Sequence, residues 1–229
     1  MTRRVVLATG NRGKLAELRA ILAGAGLEVL SQSDFGIEPP VEDGESFAAN
    51  ALIKARHASR LARMPAIADD SGLEVDALGG RPGIHSARYA GPGCGDADNN
   101  AKLLRELHGV ADAGRTARYR CAIAWVDHAD DPSPLVCEAA WEGRIAWAPR
   151  GTGGFGYDPL FIVAGVGLTA AEMPAEEKNR VSHRGQALSA LAAALGPGCA
   201  ASAGAARRGL TARPSRASRA SVRRSGRGR

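Results

Sequence analysis

Ala66-Ile67-Ala68-Asp69-Asp70-Ser71-Gly72 is the stretch best equipped for chemistry. An apolar, strand-forming run ends in two adjacent carboxylates, a hydroxyl and a glycine. In open α/β sheets, ligands gather at the carboxyl ends of strands. Two neighbouring carboxylates repel, so a cation or a proton must balance them. Magnesium suits such a pair, because it takes oxygen ligands, keeps several waters and needs only one or two carboxylates plus substrate phosphates. The same residues would also open a turn or cap a helix, as Asp-Ser-Gly often does. The rest of the chain has to decide between the two.

Three further stretches could serve a phosphorylated ligand. Gly10-Asn11-Arg12-Gly13-Lys14 follows a short β-branched run, and Leu15, Leu18, Ile21 and Leu22 then recur at helical spacing up to Gly24 and Gly26. A glycine loop entering a helix N-terminus suits anions, since free N–H groups and the helix dipole face them, and Lys14 adds charge. It is not a Walker loop: Gly10 and Gly13 are too close, and Leu15 stands where a hydroxyl would hold magnesium. An ordinary strand–helix turn with an exposed lysine would look the same. Gly151, Gly153 and Gly156 satisfy G-x-G-x-x-G, but Tyr157-Asp158-Pro159-Leu160-Phe161-Ile162-Val163 is strand-like where a dinucleotide fold needs a helix. What remains is a pliable loop presenting Phe155 and Asp158, against which a flat ligand can stack. Glu176-Glu177-Lys178 and Ser182-His183-Arg184-Gly185 complete the set; Ser182 is a good N-cap, and the charges alone would pass for a solvated run.

These groups need a scaffold. The patterning predicts strands at residues 4–9 and 28–30, then a long helix at 46–62 packed through Phe47, Ala51, Ile53, Ala55, Ala58 and Leu61. Asn50, Lys54 and His57 share one side of that helix, a row with functional meaning only if it faces a cleft; His57 reads as structural. Residues 73–83 read as a hairpin, from the alternation after Gly72 and the turn residues Gly79-Gly80-Arg81-Pro82-Gly83. A helix over 96–108, an antiparallel pair of strands over 116–126 and 135–144, a helical stretch over 170–178 and a final helix to about residue 195 follow. The expectation is an α/β fold with a mixed sheet.

Length and composition limit the classes. A chain of 229 residues that is 45% apolar can bury one substantial core. No apolar run approaches a membrane span, and the N-terminal residues lack the h-region and cleavage site of a signal peptide, so a cytoplasmic location is expected. Cys94, Cys121, Cys137 and Cys199 form no C-x-x-C pair, which argues against zinc or a disulfide framework. The nine arginines of residues 197–229, with no acid among them, exceed the whole net charge of +6 and leave residues 1–196 at −3. The chain therefore divides into a mildly acidic domain, 1–196, and a basic Arg/Ser/Ala/Gly-rich tail, 197–229, expected to be disordered and to bind polyanions weakly.

Taken together, Thr9-Gly10-Asn11-Arg12-Gly13-Lys14, Asn50-Ala51 with Lys54-Ala55, Ala68-Asp69-Asp70-Ser71-Gly72-Leu73, Gly79-Gly80-Arg81-Pro82-Gly83-Ile84, Ser86-Ala87-Arg88-Tyr89, the 151–159 loop and Glu177-Lys178 with Ser182-His183-Arg184-Gly185 resemble one family. It is the non-canonical purine nucleoside triphosphate pyrophosphatases, the inosine triphosphate pyrophosphatase-like proteins, and the resemblance runs in order over residues 4–195. It implies a long mixed sheet with flanking helices, two lobes around a central substrate cleft, and a homodimer. It implies magnesium-dependent hydrolysis of inosine, deoxyinosine and xanthosine triphosphates to the monophosphate and pyrophosphate. It places the triphosphate on Thr9, Gly10, Asn11, Arg12, Gly13, Lys14 and Lys54, the proton acceptor at Asp70, and a substrate contact at Ser71. Asp70 and Glu42 would ligate the metal, while Phe155, Gly156, Tyr157, Asp158, Lys178, His183 and Arg184 would hold the base and its surroundings. Two departures stand out: Ala49 replaces the usual acid before Asn50, and the 42–44 loop carries a second acid, Asp43.

The chemistry is coherent. A triphosphate must be neutralised before a nucleophile approaches, and water needs a base or a metal at neutral pH. Arginine has only donors and histidine can present one, so a base site built from them would favour the 6-oxo group of inosine and xanthosine over the 6-amino group of adenosine. Guanosine triphosphate, which shares the 6-oxo group, is also expected to be poor. An RNA-binding module is disfavoured by the acidic domain, and a nicotinamide oxidoreductase by the context of the glycine loop.

Overall fold

The computed structural model describes residues 3–23 and 26–196. Gly24, Cys199 and the basic tail lie outside the described residues, so the expectations for them do too.

Six strands form one mixed sheet in the order β2-β1-β3-β4-β5-β6. They are β1 (Arg3–Ala8), β2 (Leu27–Ser31), β3 (Ala66–Val75), β4 (Thr116–Val126), β5 (Leu135–Ile145) and β6 (Phe161–Val163). β1 runs parallel to β2 and β3, whereas the β3–β4, β4–β5 and β5–β6 pairs are antiparallel. The helices are α1 (Arg12–Leu22), α2 (Phe47–Ala62), α3 (Asp96–Glu106), α4 (Ala175–Val181) and α5 (His183–Leu195). The expected mixed α/β sheet is present.

Register along β3 places the acids. β1 pairs with β3 only as far as Ala8 opposite Ala68, after which the chain leaves as the 9–11 loop. β4 continues to pair with β3 residue by residue from Ala66 to Val75. Asp69 and Asp70 thus sit in mid-strand, where the parallel neighbour has ended. Side chains alternate across a strand. Ile67 joins the apolar layer of α1 and α5, which includes Leu18, Leu188 and Leu191. Ala66 and Ala68 face α2 through Ala51, Ala55 and Ala58. The two carboxylates therefore leave the sheet on opposite faces and do not share one cation, contrary to the reading of a like-charged pair. The expected hairpin over 73–83 forms in reduced form: the chain folds back through a 3-10 turn at 76–78 to a single antiparallel bridge, Glu74 opposite Pro82, and a second 3-10 turn at 83–88 follows in place of a second strand. The long partner β4 rewards continued pairing, and Leu73 and Val75 bury against Tyr119, Trp141 and Phe161.

Elsewhere the expected elements shift modestly. Only 161–163 of the strand-like stretch pairs, and the helix expected over 170–178 forms over 175–181, after Pro174. Ser182 caps α5 by accepting from the Gly185 N–H. On α2, Phe47, Ala51, Ala55 and Ala58 form the packing surface as expected, whereas Leu61 is exposed and Ile53 only half-buried. Among the described residues no helix is long and apolar enough to cross a membrane.

Candidate active site

A cavity of about 370 Å³ opens beside Asp70, where the two halves of the molecule face each other. One wall comes from the loop after β1, from Glu42, from Lys54 of α2 and from β3; the other comes from residues 84–88, Asp96 and Asn99 of α3, and residues 155–158. It gathers Thr9, Gly10, Asn11, Lys14, Glu42, Lys54, Asp70, Ser71, Phe155, Gly156, Tyr157, Asp158, Lys178, His183 and Arg184. Two residues expected on the phosphates are absent from this lining. Arg12 is exposed outside it. Gly13 lies under the Phe155 ring: a Cβ there would come within 2.6 Å of the ring, so glycine is what lets this loop approach the aromatic.

At the first end, the loop holds itself. The Lys14 N–H donates to Asn11 Oδ1 at 3.0 Å, capping α1, and the Asn11 N–H donates to Thr9 Oγ1 at 3.2 Å. Lys54 Nζ stands between two carboxylates, 2.6 Å from Asp70 Oδ1 and 3.1 Å from Glu42 Oε1. Asp70 Oδ2 is buried and has no hydrogen-bond partner. Burial pushes the Asp70 carboxyl up, and Lys54 only partly offsets this; burial lowers Lys54, but Asp70 and Glu42 more than restore it and hold it protonated. Asn50 Oδ1 accepts from the Gly44 N–H at 2.9 Å and so fixes the loop that carries Glu42. Of the row on α2, Lys54 lines the cleft, while Asn50 is fully buried behind it. His57 ties its ring to the Glu38 carbonyl at 3.0 Å, a structural role as expected.

Beneath the other end runs a row of alternating charges: Lys14, Asp69, Arg184, Glu17, Lys178 and Asp158. Lys14 lies 2.5 Å from Asp69, which lies 3.3 Å from Arg184; Glu17 pairs with Arg184 and sits 2.7 Å from Lys178, whose ammonium is 2.6 Å from Asp158. Burial would raise Asp69, but Arg184 and Lys14 outweigh it and hold the carboxyl well below the usual range. Above the row lies Phe155, with Lys178 and Arg184 at 5.2 and 5.7 Å from its ring centre. Arg184 also donates to Ser71 Oγ at 2.9 Å. Asp158 accepts from Tyr119, from Lys178 and from the Phe155 N–H, so it braces the glycine loop. His183 stacks on Tyr119 at 4.6 Å, and its buried Nδ1 has no partner. Burial and then the neighbouring Arg184 push its imidazole well below its ordinary value, so it is neutral at pH 7.

Glu17 and Tyr119 were missed in the sequence. Tyr119 shares a face of β4 with Cys121, a weak signal; Glu17 resembled half of a surface pair with Lys14, three residues away. The geometry also changes the standing of Asp69. Asp69→Asn leaves Lys14 and Arg184 against a neutral amide in a buried row, a loss of ~3 kcal/mol. For a chain of this size that lowers Tm by roughly 10 °C, which thermal unfolding by circular dichroism will measure.

A model of the Ham1 family matches residues 5–194. The chain belongs to the Ham1 family. It is 59% identical over 186 residues to a dITP/XTP pyrophosphatase of Thioalkalivibrio sulfidiphilus, covering 81% of this chain and 94% of that protein. It is 53% identical over 192 residues to the dITP/XTP pyrophosphatase of Escherichia coli, covering 84% and 98%. The solved structure of a HAM1 protein from Coxiella burnetii superposes with a TM-score of 0.78 at 45% identity, over 84% of this chain and 98% of that one. In this Ham1 chain, the matched residues lie within the described ones apart from 24–25, and the match ends one residue before Leu195, the last residue of α5.

Proposed function

We propose that this Ham1 chain hydrolyses inosine, deoxyinosine and xanthosine triphosphates to the nucleoside monophosphate and pyrophosphate, clearing them from the nucleotide pool. The observation that carries the reading is Asp70: a buried carboxylate with one oxygen on Lys54 and the other unpartnered, between a lysine-lined end and an aromatic end of one cavity. Thr9, Gly10, Asn11, Lys14 and Lys54 bind the triphosphate, Ser71 contacts it, and Phe155 with Tyr157, His183 and Arg184 receives the base. Gly156, Asp158 and Lys178 shape that pocket from behind.

The residues also fit magnesium. Among the described residues no three His, Cys, Asp or Glu side chains cluster to hold a metal unaided. Magnesium needs only one or two carboxylates when substrate phosphates supply the rest, and the unpartnered Asp70 Oδ2 with Glu42 meets that need. Asp43 is exposed and does not line the cavity, which favours Glu42 as the second ligand. When bound, magnesium neutralises the phosphates and stabilises the leaving pyrophosphate. Asp70 accepts the proton of the attacking water. The new bond forms between that oxygen and the α-phosphorus, the bond to the β-phosphate bridging oxygen breaks, and its electrons leave with pyrophosphate. Lys54 and Lys14 hold negative charge as it shifts to the leaving group. The reading includes a homodimer and a cytoplasmic location.

³¹P spectra of the reaction with inosine triphosphate will test the bond cleaved: pyrophosphate must appear, with no turnover in EDTA and recovery on adding magnesium. Orthophosphate and the diphosphate as first products would refute it. For the tail, the nine arginines of residues 197–229 support weak, salt-dependent polyanion binding. Deleting 197–229 should leave kcat/KM and Tm unchanged and abolish retention on heparin at low salt; a tenfold fall in kcat/KM would show that the tail serves the domain, on the scale of one lost charged hydrogen bond, about tenfold or more.

A further inference from the structure

α3 starts on the rim of the cavity, and its first turn reaches two backbone segments at once. Asp96 Oδ2 accepts from the Gly156 N–H at 2.6 Å, and Asn100 Nδ2 donates to the Gly156 carbonyl at 3.0 Å, so one glycine is held from both sides. Between them on the helix, Asn99 is 3% exposed. Its Oδ1 accepts from the Ala90 N–H at 2.7 Å, and its Nδ2 donates to the Ala87 carbonyl at 3.3 Å. The first segment carries Phe155, Tyr157 and Asp158; the second carries Arg88, which also lines the cavity. Tyr157 joins the two segments by donating from its hydroxyl to the Ser86 carbonyl at 2.8 Å.

A loop with glycines at 151, 153, 154 and 156 has more backbone freedom than other sequences allow. A stacking ring mounted on it is useful only if that freedom is removed, because a displacement near 1 Å can cost a site much of its discrimination. Asp158 braces the loop from below through the Phe155 N–H, and Gly13 bounds the ring on the side of the phosphate loop. The rim side is closed by α3.

We infer that Asp96, Asn99 and Asn100 are positioning residues for base selection, holding Phe155, Tyr157 and Arg88 at the spacing that accepts a 6-oxopurine. The inference rests on the purine triphosphate reading above. Asp70, Glu42 and Lys54 are held by β3, α2 and the 42–44 loop at the other end of the cavity, so the chemical step should be spared.

The test measures kcat and KM for inosine triphosphate and ATP in wild-type protein and in Asp96→Ala, Asn100→Ala and Asp96→Asn, with Tm for each. A hydrogen bond to a charged group is worth about tenfold or more. Asp96→Ala should therefore raise KM for inosine triphosphate about tenfold and compress the inosine-to-adenosine ratio of kcat/KM by about the same factor. Its kcat should stay within about twofold of wild type, the signature of an altered binding geometry rather than an altered transition state. Asn100→Ala should move the same way to a smaller extent, and decides by the same criteria if Asp96→Ala fails to fold. Asp96→Asn keeps an acceptor for the Gly156 N–H and should restore most of the ratio. An unchanged ratio in Asp96→Ala, an equal loss on both nucleotides, or no recovery in Asp96→Asn would overturn the inference. Wild-type protein without a preference for inosine triphosphate would instead refute the functional reading itself.

Discussion

Asp70→Asn is expected to lower kcat on inosine triphosphate by about 10³-fold, within the range that proton transfer by a positioned side chain supplies. The substitution keeps the shape of the side chain and removes the charge that would accept the proton of water. It also removes one of the two carboxylates proposed for magnesium. Lys54 keeps Glu42 as a partner at 3.1 Å, so the buried ammonium is not stranded and the fold should persist. Nucleotide binding should survive, because Lys14, Lys54 and the 9–11 loop are untouched. Single-turnover rates and calorimetric titration will separate the two effects. A kcat within about tenfold of wild type, small against the 10²–10⁴ expected of a catalytic acid or base, would remove Asp70 from the role.

Arg184→Ala is expected to compress the inosine-to-adenosine ratio of kcat/KM by about 10²-fold, because a site that matches polar groups discriminates most strongly among substrates. Three of the five guanidinium N–H donors are spent on Asp69, Glu17 and Ser71, so two remain for a substrate acceptor. The residue also keeps the charge row in order beneath Phe155. Asp69 retains Lys14 and Glu17 retains Lys178, so neither acid is left unpaired in the variant. Magnesium dependence should be unaltered. Equal losses on both nucleotides would show that Arg184 serves the fold and not selection.

The scaffold was largely legible because local patterns agreed with the final packing. The helical spacing after Gly13, the alanine-rich helix before β3 and the long alternating strands β4 and β5 each find the layer their periodicity requires. The failures have physical causes. Gly79, Gly80 and Pro82 do turn the chain back, but only as far as the Glu74–Pro82 bridge; the extended pairing of β3 is with β4, a strand some fifty residues away that local signals do not reveal. Asp69 and Asp70 read as one charged pair because the strand was expected to end at them; it continues to Val75, and alternation along it sends the two side chains to opposite faces. Register alone sends Asp69 to Lys14 and Arg184 and Asp70 to Lys54. Glu17 was illegible for a related reason: its partners Lys178 and Arg184 lie 161 and 167 residues along the chain. Asp70, the proposed proton acceptor, and Lys54 were singled out through the family resemblance, and the structure pairs them at 2.6 Å. The charge row, and the hold of α3 on Gly156, emerge only from tertiary structure.

We propose that this Ham1 cavity selects purine triphosphates bearing a 6-oxo group and cleaves them to pyrophosphate. This is tested most directly by measuring kcat/KM for pyrophosphate release from inosine triphosphate and from ATP, side by side, with saturating magnesium. A ratio of at least about 10³ in favour of inosine triphosphate is expected, in the range reached when a mismatched substrate leaves buried polar groups unpaired. Equal efficiency on the two nucleotides would contradict it.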